Sequence, residues 1–455
     1  MTRNAKLPHI PYQIRVNLDR LSAGDKEAVE ILQTAMPFVN SVFLAQSTQP
    51  FLAPGEIFHK EFPFWPKGVT QEEVSNFMNP RTVVMGSGES LEETPYSVKY
   101  KEGLAKICEL LRQAAKKVSS DSFRTFLISR ASSFESNDYE QSEINWLKVE
   151  SAIEIIIGFY ESYADTRFGV KTTMEAVLGV ITPEKNERLQ LFQSYANAFD
   201  AWLGNSFQFE SSPILCPMVA LDVVESAGGS LYEIVPMACC LPNEENIRRE
   251  FGSKKCFFVN SMEAKFEVIT TEIARRVLPP HSQELFTFRG FFEATIGHEI
   301  SHGLSFHFDS DFREACHGLE ELKADVFGLQ FIYWLEEKGV LPQGSGNAAV
   351  VTNLVDKLRQ IRFGIESAHA QGALVQMQFA ERSKLISFVA GRLEIKEAHL
   401  REYVEKICFH TYQAFRGGYS RGVFLIKEFG VVTEGLQSLV SSLSDVPVDI
   451  DPHYT

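Results

Sequence analysis

Residues His298-Glu299-Ile300-Ser301-His302 set two imidazoles four positions apart, with a carboxylate following the first. On a helix, positions i and i+4 share a face, so both rings can bind one ion. Zn²⁺ suits such a pair, because a catalytic zinc takes three N/O ligands from the protein and leaves a fourth position for water. Glu299 sits beside that open position. It can take a proton from the water and pass it to a leaving amine. Further along the chain, Glu321 and Asp325 are again i and i+4. One of them can complete the metal site, and the other can accept the free N–H of a ligating histidine. The pattern points to metal-assisted peptide hydrolysis with one zinc per chain.

Two helices must hold these groups. The run from Phe291 to Gly297 is apolar enough for a buried helix entering the motif, and Gly303 stands at its end. Leu319, Leu322, Val326, Leu329 and Tyr333 recur at helical spacing and predict the second. Upstream, helices are expected over about 24–45 and 99–118, and around Trp146. The polar segment 131–142 reads as a loop. Ile153 to Tyr160 is a short, mostly β-branched run that reads as a buried strand. Leu231–Leu241 and Cys256–Val259 are further strand candidates. Beyond Ser261 the pattern is almost entirely helical, broken at Pro279-Pro280 and at Gln343–Asn347. Gly86-Ser87-Gly88 and Gly344-Ser345-Gly346 lack the lysine and flanking elements of a phosphate loop and read as turns.

The chain has 455 residues, ample for two or three domains. Its net charge of −15 argues against a general nucleic-acid or anionic-membrane partner. The seven cysteines form no CxxC, so neither a disulfide framework nor a cysteine zinc site is expected. The first residues have no apolar signal core, and no apolar run of membrane-spanning length stands out. The chain reads as cytoplasmic.

Several segments, in order, resemble the dipeptidyl peptidase III family of zinc exopeptidases, in particular its shorter bacterial members with a five-residue HExxH. They are Trp146–Glu175, Leu241–Lys254, the HEISH motif, Glu320–Asp325 and Ala368–Gln371. They span roughly residues 137–385. The resemblance implies an α+β, predominantly helical fold with two lobes around a cleft, one with a small β-barrel core and the other helical and zinc-bearing. Residues 1–175 and 206–262 are assigned to the first lobe, and 176–205 and 263–455 to the second. The resemblance further implies zinc ligands at His298, His302 and Glu321, with Glu299 as general base. Asp325 and Glu320 back the ligands. His369 would stabilise the oxyanion of the tetrahedral state, and Glu154 and Asn243 would hold the free amino group of a short peptide.

Three positions depart from the family. Cys240 replaces a common asparagine. Ile156 stands where animal and yeast members carry a tyrosine, and Ala373 where they carry an arginine. Tyr160 is the candidate to supply the missing hydroxyl. On its residues alone, Glu154 would face solvent or pair with Arg167 or Lys171, since a carboxylate among apolar neighbours needs a partner. The expected activity is release of dipeptides from the N-terminus of short peptides. The alternatives are a zinc-retaining peptide-binding or regulatory protein, or a zinc hydrolase of another amide or ester.

Overall fold

The computed structural model describes residues 9–47, 62–214, 217–229, 235–306, 317–362, 364 and 367–455. The chain forms two compact units. The first comprises Met1–Asn186, Pro217–Ser261 and Asp451–Thr455, and the second Glu187–Cys216 and Met262–Ile450.

In the first unit, helices α1 (Ala23–Gln46), α2 (Lys101–Ala115), α3 (Asp121–Ser136) and α4 (Glu140–Leu147) accompany a curled five-stranded sheet, half of a barrel. Its strands are β1 (Ile153–Phe159), β2 (Met174–Ile181), β3 (Met218–Gly228), β4 (Ala238–Leu241) and β5 (Lys254–Phe258), in the order β1-β2-β3-β5-β4. β1 is buried on both faces, which is why it reads as a continuous apolar run rather than an alternating one. It pairs antiparallel with β2 from Ile153↔Val180 to Phe159↔Met174. β3 and β5 run parallel.

Several expectations need correction here. Segment 131–142 is mostly helix, not loop. Ser120 caps α3 by accepting from the Phe123 amide, and Asn137, at φ 63°, ends it. Between them Ala131 and Phe134 are buried, so packing outweighs the polar composition. Of the candidate strand Leu231–Leu241, residues 231–234 lie outside the described residues and the strand proper is β4. α1 is, by length and composition, long and apolar enough to cross a membrane. Here it is a core helix, with Val29, Leu32, Met36, Val39 and Phe43 buried in the first unit. The lobe boundary also moves. Residues 176–186 stay with the first unit because β2 is paired along its length on both sides. Residues 206–216 belong to the second.

The second unit is built from α5 (Pro183–Phe207), α6 (Phe288–Ser301), α7 (His317–Glu337), α8 (Ser345–Ile361), α9 (Ala368–Arg382), α10 (Leu400–Arg416) and α11 (Gly418–Phe429). α5 begins in the first unit. α7 is buried continuously from Leu322 to Leu335 and packs against α6, α8, α9 and α10. A helix apolar on every side is an interior helix. The all-helical expectation misses a hairpin, Ile386–Val389 with Arg392–Ile395. Its two-residue turn, Ala390-Gly391, has φ of 49° and 75°, the positive pair that a tight hairpin needs.

α6 and α7 touch backbone to backbone. A Cβ on Gly297 would lie 2.7 Å from the Gly328 carbonyl oxygen, and one on Gly328 would lie 2.6 Å from the His298 nitrogen. Gly328 is two turns from Glu321, on the same face. The crossing therefore sets the distance between the two motif-bearing helices. Gly328→Ala should destabilise the chain by about 1–3 kcal/mol through overpacking and should weaken metal binding as Glu321 moves away from the histidines. Thermal unfolding and metal titration read both effects. Parental values for both would remove this constraint from the account.

Candidate metal centre

α6 starts at a Thr287 cap, which accepts from the Gly290 amide, and carries His298 and His302 at its far end. α7 carries Glu321 in its first turns. Three ligand atoms converge. His298 Nε2 lies 3.1 Å from His302 Nε2 and 3.4 Å from Glu321 Oε2, and His302 Nε2 lies 3.9 Å from Glu321 Oε2. Ligands about 2.0–2.2 Å from a tetrahedral ion stand about 3.3–3.6 Å apart, so this triangle has the size of a zinc site. Glu321 Oε2 is buried and receives no aligned hydrogen bond. Two ring nitrogens facing each other beside an unsatisfied buried oxygen is an arrangement that a cation completes.

His369, at the start of α9, approaches the same oxygen, with Nδ1 2.8 Å away. His298, Glu321 and His369 also form a set compact enough to hold an ion. His302 is the better third ligand for two reasons. It is fixed to His298 by the helix, and its Nε2 is within metal-bridging distance of both other donors. The His369 ring is 59% exposed and its centroid is 6.1 Å from that of His298, so it is free to turn toward a substrate. Glu299 follows His298 on α6 and is half-buried.

Each imidazole is held from behind. His298 Nδ1 is 2.9 Å from Asp325 Oδ1, and the other Asp325 oxygen accepts from Lys357 Nζ at 2.6 Å and Gln376 Nε2 at 2.7 Å. His302 Nδ1 is 3.4 Å from Glu320 Oε1, which is 2.7 Å from Lys323 Nζ. The charges follow from these contacts. Burial opposes a proton on His298, but Asp325 and Glu321 outweigh it and raise the group to about 10. Burial would raise Glu321, but His298 and His369 hold it well below the carboxylate range. Asp325 is likewise depressed against burial, by Lys357 and His298. Glu320 falls to about 2, because His302 and Lys323 overcome its burial. The roles of Lys357, Gln376 and Lys323 escaped the sequence reading. Only Lys323 carried a signal, being one turn after Glu320.

The first unit treats its candidate residues differently. Glu154 is only 3% exposed and both its oxygens are used, Oε1 by Trp146 Nε1 and Oε2 by Lys254 Nζ, each at 2.8 Å. Its partner is thus Lys254. Arg167 instead donates to the Pro66 and Val69 carbonyls, and the Lys171 ammonium donates to the Phe77 and Asn79 carbonyls and to Thr82. In this structure Glu154 forms a buried ion pair with Lys254. Tyr160 is buried too, with its hydroxyl turned inward to the Ile157 carbonyl at 3.4 Å. Asn243 is exposed and donates to the Tyr160 carbonyl at 3.1 Å. Ile156 and Ala373 are buried.

The comparisons with known proteins point to peptidases. The family model described as Peptidase family M49 matches residues 84–303, ending just past His302. The chain is similar to the solved structure of DPP III from Caldithrix abyssi, at 28% identity, covering 98% of both chains, with a TM-score of 0.93. It is similar to dipeptidyl-peptidase III from Corallococcus sp. strain EGB at 26% identity, covering 98% of this chain and 95% of that one, with a TM-score of 0.81. A curated relative, "Nudix hydrolase 3" of Arabidopsis thaliana, is 28% identical over 438 residues. This chain spans 57% of that relative's length, and the match covers 88% of this chain.

The raised His298 has a measurable consequence. Below about 10 the metal-free ring holds its proton, so a metal must displace it throughout the neutral range. Apparent zinc affinity should therefore rise with pH, by up to about tenfold per unit from this group alone, between pH 7 and about 10. Calorimetric zinc titrations at pH 7.5, in buffers of different ionisation heat, should show release of about one proton per zinc from this group. Binding with no proton release would contradict the assignment of His298.

Proposed function

The chain belongs to peptidase family M49, the dipeptidyl peptidase III family, and from that premise we propose that it is a zinc-dependent metallopeptidase that releases dipeptides from the N-terminus of short peptides. The observation that carries this reading is the ligand-sized triangle of His298, His302 and Glu321, with Glu299 on the same helix. These residues would hold the zinc, which when bound supplies a Lewis acid that polarises a carbonyl and acidifies a water. The chain's own groups do the rest. Glu299 takes the attacking water's proton and delivers it to the departing amine. His369 hydrogen-bonds the oxyanion that develops on the scissile carbonyl. Asp325 and Glu320 keep the two ligand rings oriented.

One observation favours a second reading, a zinc hydrolase that does not select free N-termini. Lys254 already neutralises the Glu154 carboxylate, which leaves Asn243 as the exposed polar group of the expected amino-group pair. The two readings part on one comparison. A short peptide, free and N-acetylated, is incubated with zinc-loaded protein and the products are weighed. Under the exopeptidase reading only the free peptide yields a dipeptide. Equal cleavage of both would reject it and leave the hydrolase.

The base is tested separately. Glu299→Ala should retain zinc and lose peptide turnover, because Glu299 handles protons without ligating. Parental turnover in a zinc-loaded variant would remove Glu299 from that role. His369→Ala should lower kcat by about two orders of magnitude with little change in KM, as for a lost oxyanion donor.

A further inference from the structure

Lys357 is a buried lysine on α8 whose ammonium lies against the back of the metal centre. Burying an ammonium is costly unless it is paired and hydrogen-bonded. Its Nζ is 2.6 Å from Asp325 Oδ2 and 3.3 Å from Gln360 Oε1. Gln376, fully buried on α9, donates to the same Asp325 oxygen at 2.7 Å. Asp325 thus divides its two oxygens. One is gripped by α8 and α9, and the other reaches His298 Nδ1 at 2.9 Å.

The division has a directional effect. With Oδ2 fixed by two donors, the carboxylate cannot rotate or take up a proton there, so Oδ1 remains an acceptor. When a metal displaces a proton from His298, the N–H that stays is the one at Nδ1, and Nε2, which faces Glu321 and His302, is the nitrogen left to bind. The same motif recurs at the other ring in looser form. Lys323 holds Glu320, whose oxygen is 3.4 Å from His302 Nδ1, and Glu320 is 31% exposed where Asp325 is 8%. His298 is the more rigidly held of the two.

We propose that Lys357, assisted by Gln376, is a positioning residue that fixes the His298 ring for the metal through Asp325, so that these two side chains act on the centre without touching it. The inference rests on the zinc reading of this site. A merely structural ion pair would support the fold alone, whereas a positioning role is felt at the ion and only through Asp325.

The test uses the full chain loaded with Zn²⁺ or Co²⁺, and reads metal transfer to a chromogenic chelator and the visible absorption of the bound cobalt. Lys357→Met should speed metal release by roughly 10- to 100-fold, the usual effect of losing an outer partner, and should shift the cobalt spectrum. Lys357→Arg should restore most of both. In an Asp325→Asn background, Lys357→Met should add less than about a twofold further change, because the connection is already cut. Parental release and spectrum in Lys357→Met would overturn the proposal. So would an equal acceleration in both backgrounds. If Lys357→Met alone does not fold, Gln376→Met and the Asp325→Asn/Lys357→Met pair, which removes both charges, carry the same comparison. An unchanged release rate in Gln376→Met, or a large further loss in the pair relative to Asp325→Asn, then overturns it. A chain that binds metal as described yet cleaves no peptide would defeat the proposed function and leave this inference standing.

Discussion

The contact between Gly297 and Gly328 is the constraint on which the metal centre depends. It lets two helices meet with no side chain between them, immediately before His298 and two turns beyond Glu321. A nitrogen pair on one helix and an oxygen on another can share an ion only if the helix axes are close and their phase is fixed. The glycines provide the closeness, and the surrounding apolar packing of α7 provides the rigidity. Gly290, where an added Cβ would meet the Ala348 carbonyl at 2.9 Å, brings α8 equally near to α6. Lys357 of α8 reaches Asp325 because α8 also packs directly on α7.

Charge organisation follows from that packing. The site gathers Glu320, Glu321 and Asp325 in a half-buried space, a costly arrangement for three carboxylates. Each has a cationic or ring N–H neighbour: Lys323 with His302, His298 with His369, and Lys357 with His298. Without metal, a proton on His298 carries part of the compensation. Metal binding exchanges that proton for a larger charge in the same place. The lysines lie outside the ligand triangle and keep compensating whichever cation is present.

The pairing of His298 with His302 was legible in the sequence because i to i+4 spacing carries the same geometry wherever it occurs, whereas the choice of Glu321 over Asp325 rested on the family resemblance. The β1 strand was legible for a similar reason, since few other structures accept Ile153 to Phe159 as a buried run. Contacts between distant segments were not. Nothing local marks Lys254, a hundred residues beyond Glu154, as its partner, and the chain offered Arg167 and Lys171 as nearer cations. Lys357 and Gln376 were silent because each looks like an ordinary polar residue until the helices are assembled. Segment 131–142 misled for the opposite reason. Its serines and acids suggest solvent, but Ala131 and Phe134 face the core and the polar residues fill the remaining faces. The inward turn of the Tyr160 hydroxyl is likewise set by tertiary packing, which strand alternation alone does not reveal.

The central claim is that one ion sits on His298, His302 and Glu321. Crystals of the zinc-loaded chain, measured at wavelengths on both sides of the zinc absorption edge, locate the ion directly. The account predicts a single strong anomalous peak about 2.0–2.2 Å from His298 Nε2, His302 Nε2 and a Glu321 oxygen, with His369 outside ligating distance. A peak that includes His369 in place of His302, or no peak between α6 and α7, would contradict it.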